Sequence, residues 1–187
     1  TVWFDDVALE PIAAPNATEP KQPEVRLAEV EGLIPIDTFE GDDLAWRGNV
    51  WGDSRPVEFS LQSQAAVGKQ CLRVSCPSAK ANMVDRDWNY DGKWDALSFY
   101  VRRVSGGGGL TLYYVCGQVV FHGKWVVPGD QWQRVSFLNN EVRHAWGAKT
   151  EEDKVFDPTE VTKLSFGHDE AIGFELDQVA LDVRDEL

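Results

Sequence analysis

Short segments in which apolar and polar residues alternate run through most of this 187-residue chain. In CLRVSC at 71–76, for example, Leu72 and Val74 alternate with Arg73 and Ser75. A period of two is typical of β-strands with one buried face, and no stretch longer than about ten residues has a helical period. The pattern predicts an all-β fold, an antiparallel β-sandwich of the jelly-roll type. The predicted strands are 33–40, 57–64, 71–76, 95–104, 110–116, 118–127, 131–138, 161–167 and 174–181.

The first thirty residues differ from the rest of the chain. Residues 11–30 contain four prolines and little periodicity, which predicts a linker or an extended strap. The segment VWFDDVAL at 2–9 resembles FELDQVAL at 174–181. We therefore expect residues 1–10 to be either the tail of a preceding module or an edge strand docked on the sandwich, and 31–187 to be the sandwich itself.

Charge and cysteine content restrict the ligands and partners. The chain has 31 acidic and 18 basic residues, a formal net charge of −13. Such a surface repels phosphate backbones, so we expect no nucleic-acid partner, whereas neutral ligands and divalent cations remain compatible. No apolar run approaches the roughly 18 residues of a membrane span. Three cysteines leave open one disulfide with a free thiol, or three free thiols.

The last predicted strand carries an acidic residue in register with apolar ones. By strict alternation, Asp177 lies on the same face as Val179 and Leu181. A carboxylate among core positions lowers stability unless a partner compensates its charge. The pattern suggests a bound cation beneath the sandwich, or alternatively an arginine partner for Asp177.

Aromatic and basic residues on the outward positions of the strands predict a ligand groove. Aromatic rings pack against the CH groups of sugars, while Arg and His donate hydrogen bonds to hydroxyls or uronates. The loops at 85–94 and 139–146 are expected to contribute to its rim. The predicted groove residues are Tyr100, Arg102, Tyr113, His122, Trp125 (on the opposite parity), Trp88, Tyr90 and Arg143, with Arg73, Lys124, Trp132, Arg134 and Trp146 as further candidates.

The order of several motifs over residues 33–183 resembles that of the galactose-binding-like jelly-roll modules appended to polysaccharide-degrading enzymes. Family 11-like carbohydrate-binding modules, and the related domain of complex I assembly factors, are similar in this respect. No single motif is diagnostic. The motifs are D-x-F-E-G-D at 37–42 followed by Trp46, WDALSFYVR at 94–102, PGDQWQRVSF at 128–137, DPTEVTKLSFG at 157–167 and FELDQVAL at 174–181.

The resemblance implies a non-catalytic module that binds a polysaccharide or oligosaccharide. It also implies a secreted or cell-surface protein, with a catalytic domain in the same parent polypeptide. A structural calcium ion is implied as well, held by Glu40 and Asp177 with Asp37 or Asp42. Calcium requires about six to eight oxygen ligands, and Gly41 would let backbone carbonyls turn inward. The second Asp of the family's usual D-D-V is Gln178 here, which removes one carboxylate.

Two other functions remain open at the level of sequence. A jelly-roll hydrolase would need two carboxylates about 5 Å apart, but Glu58 and Glu175 are isolated strand acids. A lyase could be assembled from Tyr113, His122 and Arg143. The third possibility is a purely structural accessory sandwich. No zinc-protease, serine-nucleophile, P-loop or dinucleotide motif occurs.

Overall fold

The computed structural model describes residues 32–50, 55–78, 82–88 and 90–183. Within these ranges the chain forms twelve strands, three short 3-10 turns and no α-helix. The strands are β1 (Leu33–Asp37), β2 (Trp46–Val50), β3 (Glu58–Gln62), β4 (Cys71–Cys76), β5 (Asn82–Asp87), β6 (Ala96–Gly106), β7 (Leu110–Cys116), β8 (Val119–Val126), β9 (Gln133–Leu138), β10 (Arg143–Trp146), β11 (Lys163–His168) and β12 (Ile172–Asp182).

Two six-stranded antiparallel sheets form a sandwich, which confirms the predicted fold class. In sheet A the order is β3-β4-β12-β6-β9, with β1 also paired to β12. In sheet B the order is β10-β8-β7-β11-β5-β2. Neighbouring strands are often distant in sequence, because the chain crosses repeatedly between the sheets as in a jelly-roll. Consecutive strands β6 and β7 therefore belong to different sheets.

Aromatic side chains from both sheets form the centre of the core. Phe166 of sheet B meets Phe99 of sheet A edge to face, with ring centroids 5.1 Å apart. Trp46 packs on Phe166 at 5.7 Å, and Phe137 stacks on Phe99 at 5.7 Å. Rings in this geometry stabilise a core by roughly 0.5–1.5 kcal/mol per pair beyond the area they bury. Large aromatic residues on inward strand positions thus join the two sheets.

A bulge in β12 changes the face on which Asp177 lies. Asp177 pairs with Tyr100 of β6 and Ala180 pairs with Ser98, so β12 has one extra residue between these pairs. The extra residue is Gln178, whose φ of 48° is in the left-handed region. The prediction that Asp177 shares a face with Val179 and Leu181 is therefore wrong, because strict alternation fails at the bulge. Asp177 lies on the outer face of sheet A, although it is fully buried.

A second bulge, in β8, brings two predicted groove residues to one face. Tyr113 pairs with His122 and Thr111 pairs with Trp125, so β8 again has one residue more than its partner. His122 and Trp125 therefore both lie on the outer face of sheet B, whereas strict alternation predicts opposite faces. Gly123 occurs within this bulge, and a Cβ added to it would lie 2.4 Å from Cδ1 of Phe137.

Three strands are not predicted by the alternation: β2, β5 and β10. The sequence instead predicts loops at 85–87 and 143–146. In β5 the inward position that follows Val84 is Arg86, which pairs with Asp37 instead of packing in the core. In β10 only four residues pair, at a sheet edge. The amphipathic pattern is therefore too short or too polar in these strands to be recognised.

The remaining predictions concern termini, cysteines and membranes. The predictions for residues 1–30 lie outside the described residues. Cys71, Cys76 and Cys116 are buried free thiols, and burial raises the pKa of each to about 12. None of the helical segments in the described ranges is long or apolar enough to cross a membrane.

Gly123→Ala tests the packing of the β8 bulge. The added methyl would collide with the ring of Phe137, so we expect the free energy of unfolding to fall by about 1–3 kcal/mol. Chemical denaturation of both proteins measures the change. Gly129→Ala is the matched control, because no atom lies within 4 Å of the added Cβ there and stability should remain unchanged or rise slightly. Equal stability of the two variants would contradict the prediction.

Candidate functional site

Four aromatic side chains form a cluster on the outer face of sheet B. We call Tyr113, His122, Trp125 and Trp146 the aromatic platform. The ring centroid of Tyr113 is 5.2 Å from that of Trp146 and 6.4 Å from that of His122. Trp125 and Trp146 are 46% and 48% exposed. Two half-exposed tryptophans beside a tyrosine offer apolar surface that the described part of the chain leaves uncovered.

The aromatic platform lines an open groove of about 470 Å³. Strands β7 and β8 supply its floor and β10 its outer edge. Lys124 and His144 add polar groups to the same groove. The lining residues are Thr111, Tyr113, His122, Gly123, Lys124, Trp125, His144, Ala145 and Trp146.

Two glycines leave room for the rings of the platform. A Cβ on Gly109 would lie 2.5 Å from Cε2 of Trp125, and one on Gly167 would lie 2.7 Å from Cε2 of Tyr113. Both rings thus lie against backbone where any side chain would displace them. Because glycine has no side chain, the two rings can lie directly on the backbone at these positions.

A polar strip continues from the aromatic platform across sheet B. Ser165 is paired with Tyr113 on one side and with Asp85 on the other. The Ser165 hydroxyl donates to Asp85 Oδ1 at 2.6 Å, and Asn49 Nδ2 donates to Oδ2 at 3.4 Å. Lys163 Nζ lies 3.7 Å from Asp85 Oδ2. We call Asn49, Asp85, Lys163 and Ser165 the polar strip. Asp85 and Ser165 are almost fully buried, so Asn49 and Lys163 are its partly exposed groups.

The edge of sheet B beyond the polar strip carries an exposed ion pair. Arg47 of β2 donates from both terminal nitrogens to the carboxylate of Asp87, at 2.5 and 2.7 Å. These hydrogen bonds lower the pKa of Asp87 and raise that of Arg47. The outer face of sheet B therefore passes from exposed aromatic rings through neutral and charged polar groups to a solvated ion pair.

Three of the predicted groove residues, Tyr113, His122 and Trp125, are brought together. Arg143 lies beside them, paired in register with His122, but its Nη1 donates to the carbonyl oxygens of Asn140 and Val142. Trp146, a further candidate in the sequence, joins the platform. The polar strip was not predicted, although the alternation in 161–167 already places Ser165 opposite the core residues Leu164 and Phe166.

The other predicted groove residues lie elsewhere. Tyr100 and Arg102 are on β6, in sheet A, so they cannot face the same groove as Tyr113. Trp88 is only 8% exposed and packs against Trp94 and Tyr90, with centroids 6.2 and 6.3 Å away. The prediction of one groove containing all eight residues is wrong, because β6 and β7 diverge into different sheets and Trp88 belongs to the core.

A buried carboxylate site lies on the outer face of sheet A, beneath the loop between β3 and β4. Asp177 Oδ2 accepts a hydrogen bond from the Val67 backbone N–H at 2.8 Å, and Oδ1 has no partner among the described residues. Glu40 Oε1 accepts from the backbone N–H groups of Lys69 and Gln70. Burial raises the pKa of Asp177 to about 7. The nearby backbone N–H groups of Val67, Gln178 and Ala66 lower it, and the negative charge of Glu40 makes the smallest contribution, which raises it.

Of the four predicted metal ligands, two lie close together and two do not. Asp37 is held by Arg86 at 2.8 Å and by Trp46 Nε1 at 2.9 Å, so its carboxylate already has partners. Asp42 is exposed in a turn. Only Glu40 and Asp177 converge, and across the described ranges no group of three or more His, Cys, Asp or Glu side chains is arranged to hold a metal. Any further ligands would have to be carbonyls or water.

The loop over Asp177 is shaped to admit Glu40. Gly68 has a φ of 75°, which few residues other than glycine adopt. A Cβ at Gly68 would lie 2.3 Å from Glu40 Oε1. Gly68 thus provides both a tight turn and space for the carboxylate of Glu40 beside that of Asp177.

Comparisons with known proteins identify the fold. No protein-family model and no curated protein matches the chain. A family 11 carbohydrate-binding module of the cellulosomal cellulase Lic26A-Cel5E of Clostridium thermocellum superimposes with a TM-score of 0.68 at 15% identity, covering 83% of this chain and 97% of that one. The chain therefore has the jelly-roll fold of those modules, as the sequence resemblance led us to expect.

Two further solved structures have a similar fold. A family 11 module from Clostridium thermocellum in complex with a β-1,3-1,4-mixed-linked tetrasaccharide gives a TM-score of 0.66 at 15% identity, covering 83% of this chain and 98% of that one. The CBM22-1 xylan-binding domain of Paenibacillus barcinonensis Xyn10C gives 0.51 at 16% identity, covering 79% and 90% of the two chains.

The raised pKa of Asp177 predicts a stability that falls as pH rises. The folded protein holds a proton on Asp177 up to about pH 7, whereas the unfolded chain releases it near pH 4. The contribution of this proton is complete below about pH 4 and is lost by about pH 7, up to roughly 4 kcal/mol in all.

Urea unfolding in EDTA at pH 5 and pH 8 measures this effect. We expect the wild-type protein to lose more stability between the two pH values than Asp177→Asn, which has no proton to release. Asp42→Asn removes an exposed carboxylate and should follow the wild type. The same pH dependence in the wild type and Asp177→Asn would exclude Asp177 as its source.

Proposed function

We propose that this chain is a non-catalytic carbohydrate-binding module whose ligand lies in the groove of sheet B. The observation that carries the proposal is the aromatic platform, in which Trp125 and Trp146 remain nearly half exposed beside Tyr113. Large aromatic residues normally bury most of their surface, so an exposed cluster in a groove favours a ligand with a flat apolar face. A pyranose ring presents such a face.

The polar strip supports a ligand axis that crosses the strands. Aromatic rings lie on β7, β8 and β10, and hydrogen-bonding groups follow on β11, β5 and β2. A glycan chain laid across sheet B would pack sugar rings on the platform and present hydroxyls to Asn49 and Lys163, the partly exposed groups of the polar strip. Because Asp85 is almost fully buried, its carboxylate disfavours a ligand with its own negative charge at that end.

Similarity of fold suggests the first ligand to test. A solved structure with this fold holds a β-1,3-1,4-mixed-linked tetrasaccharide, and another is a xylan-binding domain. We propose mixed-linked β-glucan as the first ligand class. It is neutral, so the negative net charge of this chain does not repel it. The charge contributes by excluding phosphate-bearing competitors rather than by attracting the glycan.

The polar contacts of the groove favour binding rather than catalysis. The carboxylate of Asp85 is hydrogen-bonded to Ser165 and near Lys163, and Asp87 is paired with Arg47. A glycoside hydrolase uses two Asp or Glu side chains that flank the scissile bond, and none of the described residues that line the groove is acidic. Arg143 donates to carbonyl oxygens of its own loop, which argues against its use in neutralising a uronate in a lyase. We propose an extracellular module joined to a catalytic domain in one polypeptide.

We also propose that Glu40 and Asp177 hold a structural calcium ion. The supporting observation is the buried, unpartnered Oδ1 of Asp177 beside a second carboxylate. Backbone carbonyls and water would supply the remaining ligands that calcium requires. A bound divalent cation would compensate the buried negative charge and keep Asp177 ionised.

Substitution of the platform rings tests the groove. Trp125→Ala and Tyr113→Ala each remove ring surface, so we expect affinity for a mixed-linked β-glucan oligosaccharide to fall by about 1–2 kcal/mol, roughly 5- to 30-fold. Isothermal titration calorimetry measures the affinity. Trp132→Ala is the matched control, since its ring packs on Arg102 of sheet A, away from the groove, and its removal should leave β-glucan affinity unchanged. If the platform variants bind as tightly as the wild type, the ligand does not lie on these rings.

Calcium addition tests the carboxylate site. At pH 7.5, calcium at a hundredfold excess over its Kd should stabilise the protein by about 2.7 kcal/mol, which corresponds to a rise in Tm of roughly 5–10 °C. Asp177→Asn and Glu40→Gln should abolish the rise, because each removes a ligand. Asp42→Asn should retain it. A calcium-dependent rise that persists in Asp177→Asn would place the ion elsewhere.

A further inference from the structure

A row of charged side chains crosses the outer face of sheet A, on the opposite side of the molecule from the groove. Arg73 of β4, Glu175 of β12 and Arg102 of β6 lie directly opposite one another in adjacent strands. Glu175 is fully buried, and its two oxygens accept hydrogen bonds from Arg73 Nε at 2.9 Å and from Arg102 Nε at 2.5 Å. One buried carboxylate thus fixes two guanidinium groups.

Two aromatic residues and a third arginine adjoin this row. The guanidinium of Arg102 lies over the ring of Trp132, 4.8 Å from its centroid. Arg134 of β9 is exposed, is paired in register with Tyr100, and donates from Nη2 to the Ser98 hydroxyl at 3.2 Å. We call the surface formed by Arg73, Tyr100, Arg102, Trp132 and Arg134 the arginine face.

The arginine face has the opposite sign of charge to the chain as a whole. Its three guanidinium groups face only one carboxylate, that of Glu175, which leaves an excess of positive charge, while the complete chain has a net charge of −13. The nearby acids do not cancel this excess at its centre. Asp177 is buried beneath the β3–β4 loop, where its carboxylate accepts a hydrogen bond from the Val67 N–H and burial favours its neutral form. Asp130 is paired with Arg103 at 2.8 Å, and Glu58 lies on the edge strand β3.

Stability alone does not account for this arrangement. Replacing a buried ion pair by apolar residues is often neutral or stabilising, so a buried carboxylate with two arginines is a weak contribution to the fold. The arrangement does hold two planar cations in fixed orientations. The Arg73 and Arg102 side chains remain 38% and 21% exposed, so each still presents polar surface to solvent.

We propose that the arginine face is a second ligand site, for a glycan that carries carboxylate groups. Guanidinium groups bind carboxylates through paired, charge-assisted hydrogen bonds, and here Arg73 and Arg134 have exposed donors. Tyr100 and Trp132 supply apolar surface for the sugar ring that bears the carboxylate. The site does not depend on the groove, because the two surfaces belong to different sheets and both can be occupied at once.

Calorimetry with oligogalacturonate, and with the same oligosaccharide fully methyl-esterified, tests the proposal. We expect the wild-type protein to bind the acid form roughly tenfold or more tightly than the neutral ester, because only the acid offers a carboxylate. Arg73→Gln and Arg134→Gln should each weaken binding of the acid form roughly tenfold. Arg134 makes one hydrogen bond to a serine, so this variant provides the test even if Arg73→Gln disturbs Glu175 and the fold.

Three controls distinguish a uronate site on the arginine face from unspecific charge attraction, from binding in the groove and from peptide docking. Arg47→Gln removes an exposed positive charge from sheet B and should leave affinity unchanged; an equal loss would show unspecific attraction and overturn the proposal. Trp125→Ala should leave uronate binding intact; a loss would place the uronate in the groove. Polyglutamate should not compete at equal carboxylate concentration; if it does, the arginine face is a docking surface for acidic peptides. The absence of uronate binding overturns the proposal, without consequence for the groove.

Discussion

The fold depends on strand β12, which pairs with three other strands. Its first half lies between β4 and β6, and its second half lies between β1 and β6. Every residue from Ile172 to Leu181 is buried. A strand in this position has hydrogen-bonded neighbours along both edges. An irregularity in it therefore changes which of its side chains lie beside those of the neighbouring strands.

The break is the bulge at Gln178. Before it, Phe174 and Leu176 point into the core while Glu175 and Asp177 lie on the outer face; after it, Val179 and Leu181 take the core positions. Two carboxylates are thus buried on the outer face of sheet A, and each acquires its own compensation. Arginines approach Glu175 from both neighbouring strands, and the β3–β4 loop folds over Asp177. The outer face of sheet A is organised around these two charges.

Regular alternation is sufficient to predict the sandwich and most of its strands, because inward positions such as Leu97, Phe99 and Val101 follow a strict period of two. It fails at the bulges of β12 and β8, where one extra residue reverses the faces. Alternation places Asp177 on the core side and separates His122 from Trp125, since no local residue pattern marks where a bulge falls. The short glycine-rich connection between β6 and β7 resembles that of a hairpin, yet the two strands belong to different sheets. The sequence does not reveal this crossing, which separates Arg102 from Tyr113.

The two outer faces differ because of how each compensates its buried charge. In sheet B, Asp85 is satisfied by a hydroxyl, an amide and a partly exposed lysine, so the surface above it remains close to neutral and continuous with the aromatic rings. In sheet A, Glu175 is compensated by two arginines, one more cation than it needs, so the surface gains positive charge. Neutral sugar rings suit the first environment and carboxylates suit the second. The same jelly-roll therefore presents two chemically distinct surfaces, each determined by one buried carboxylate and the partners that neighbouring strands bring to it.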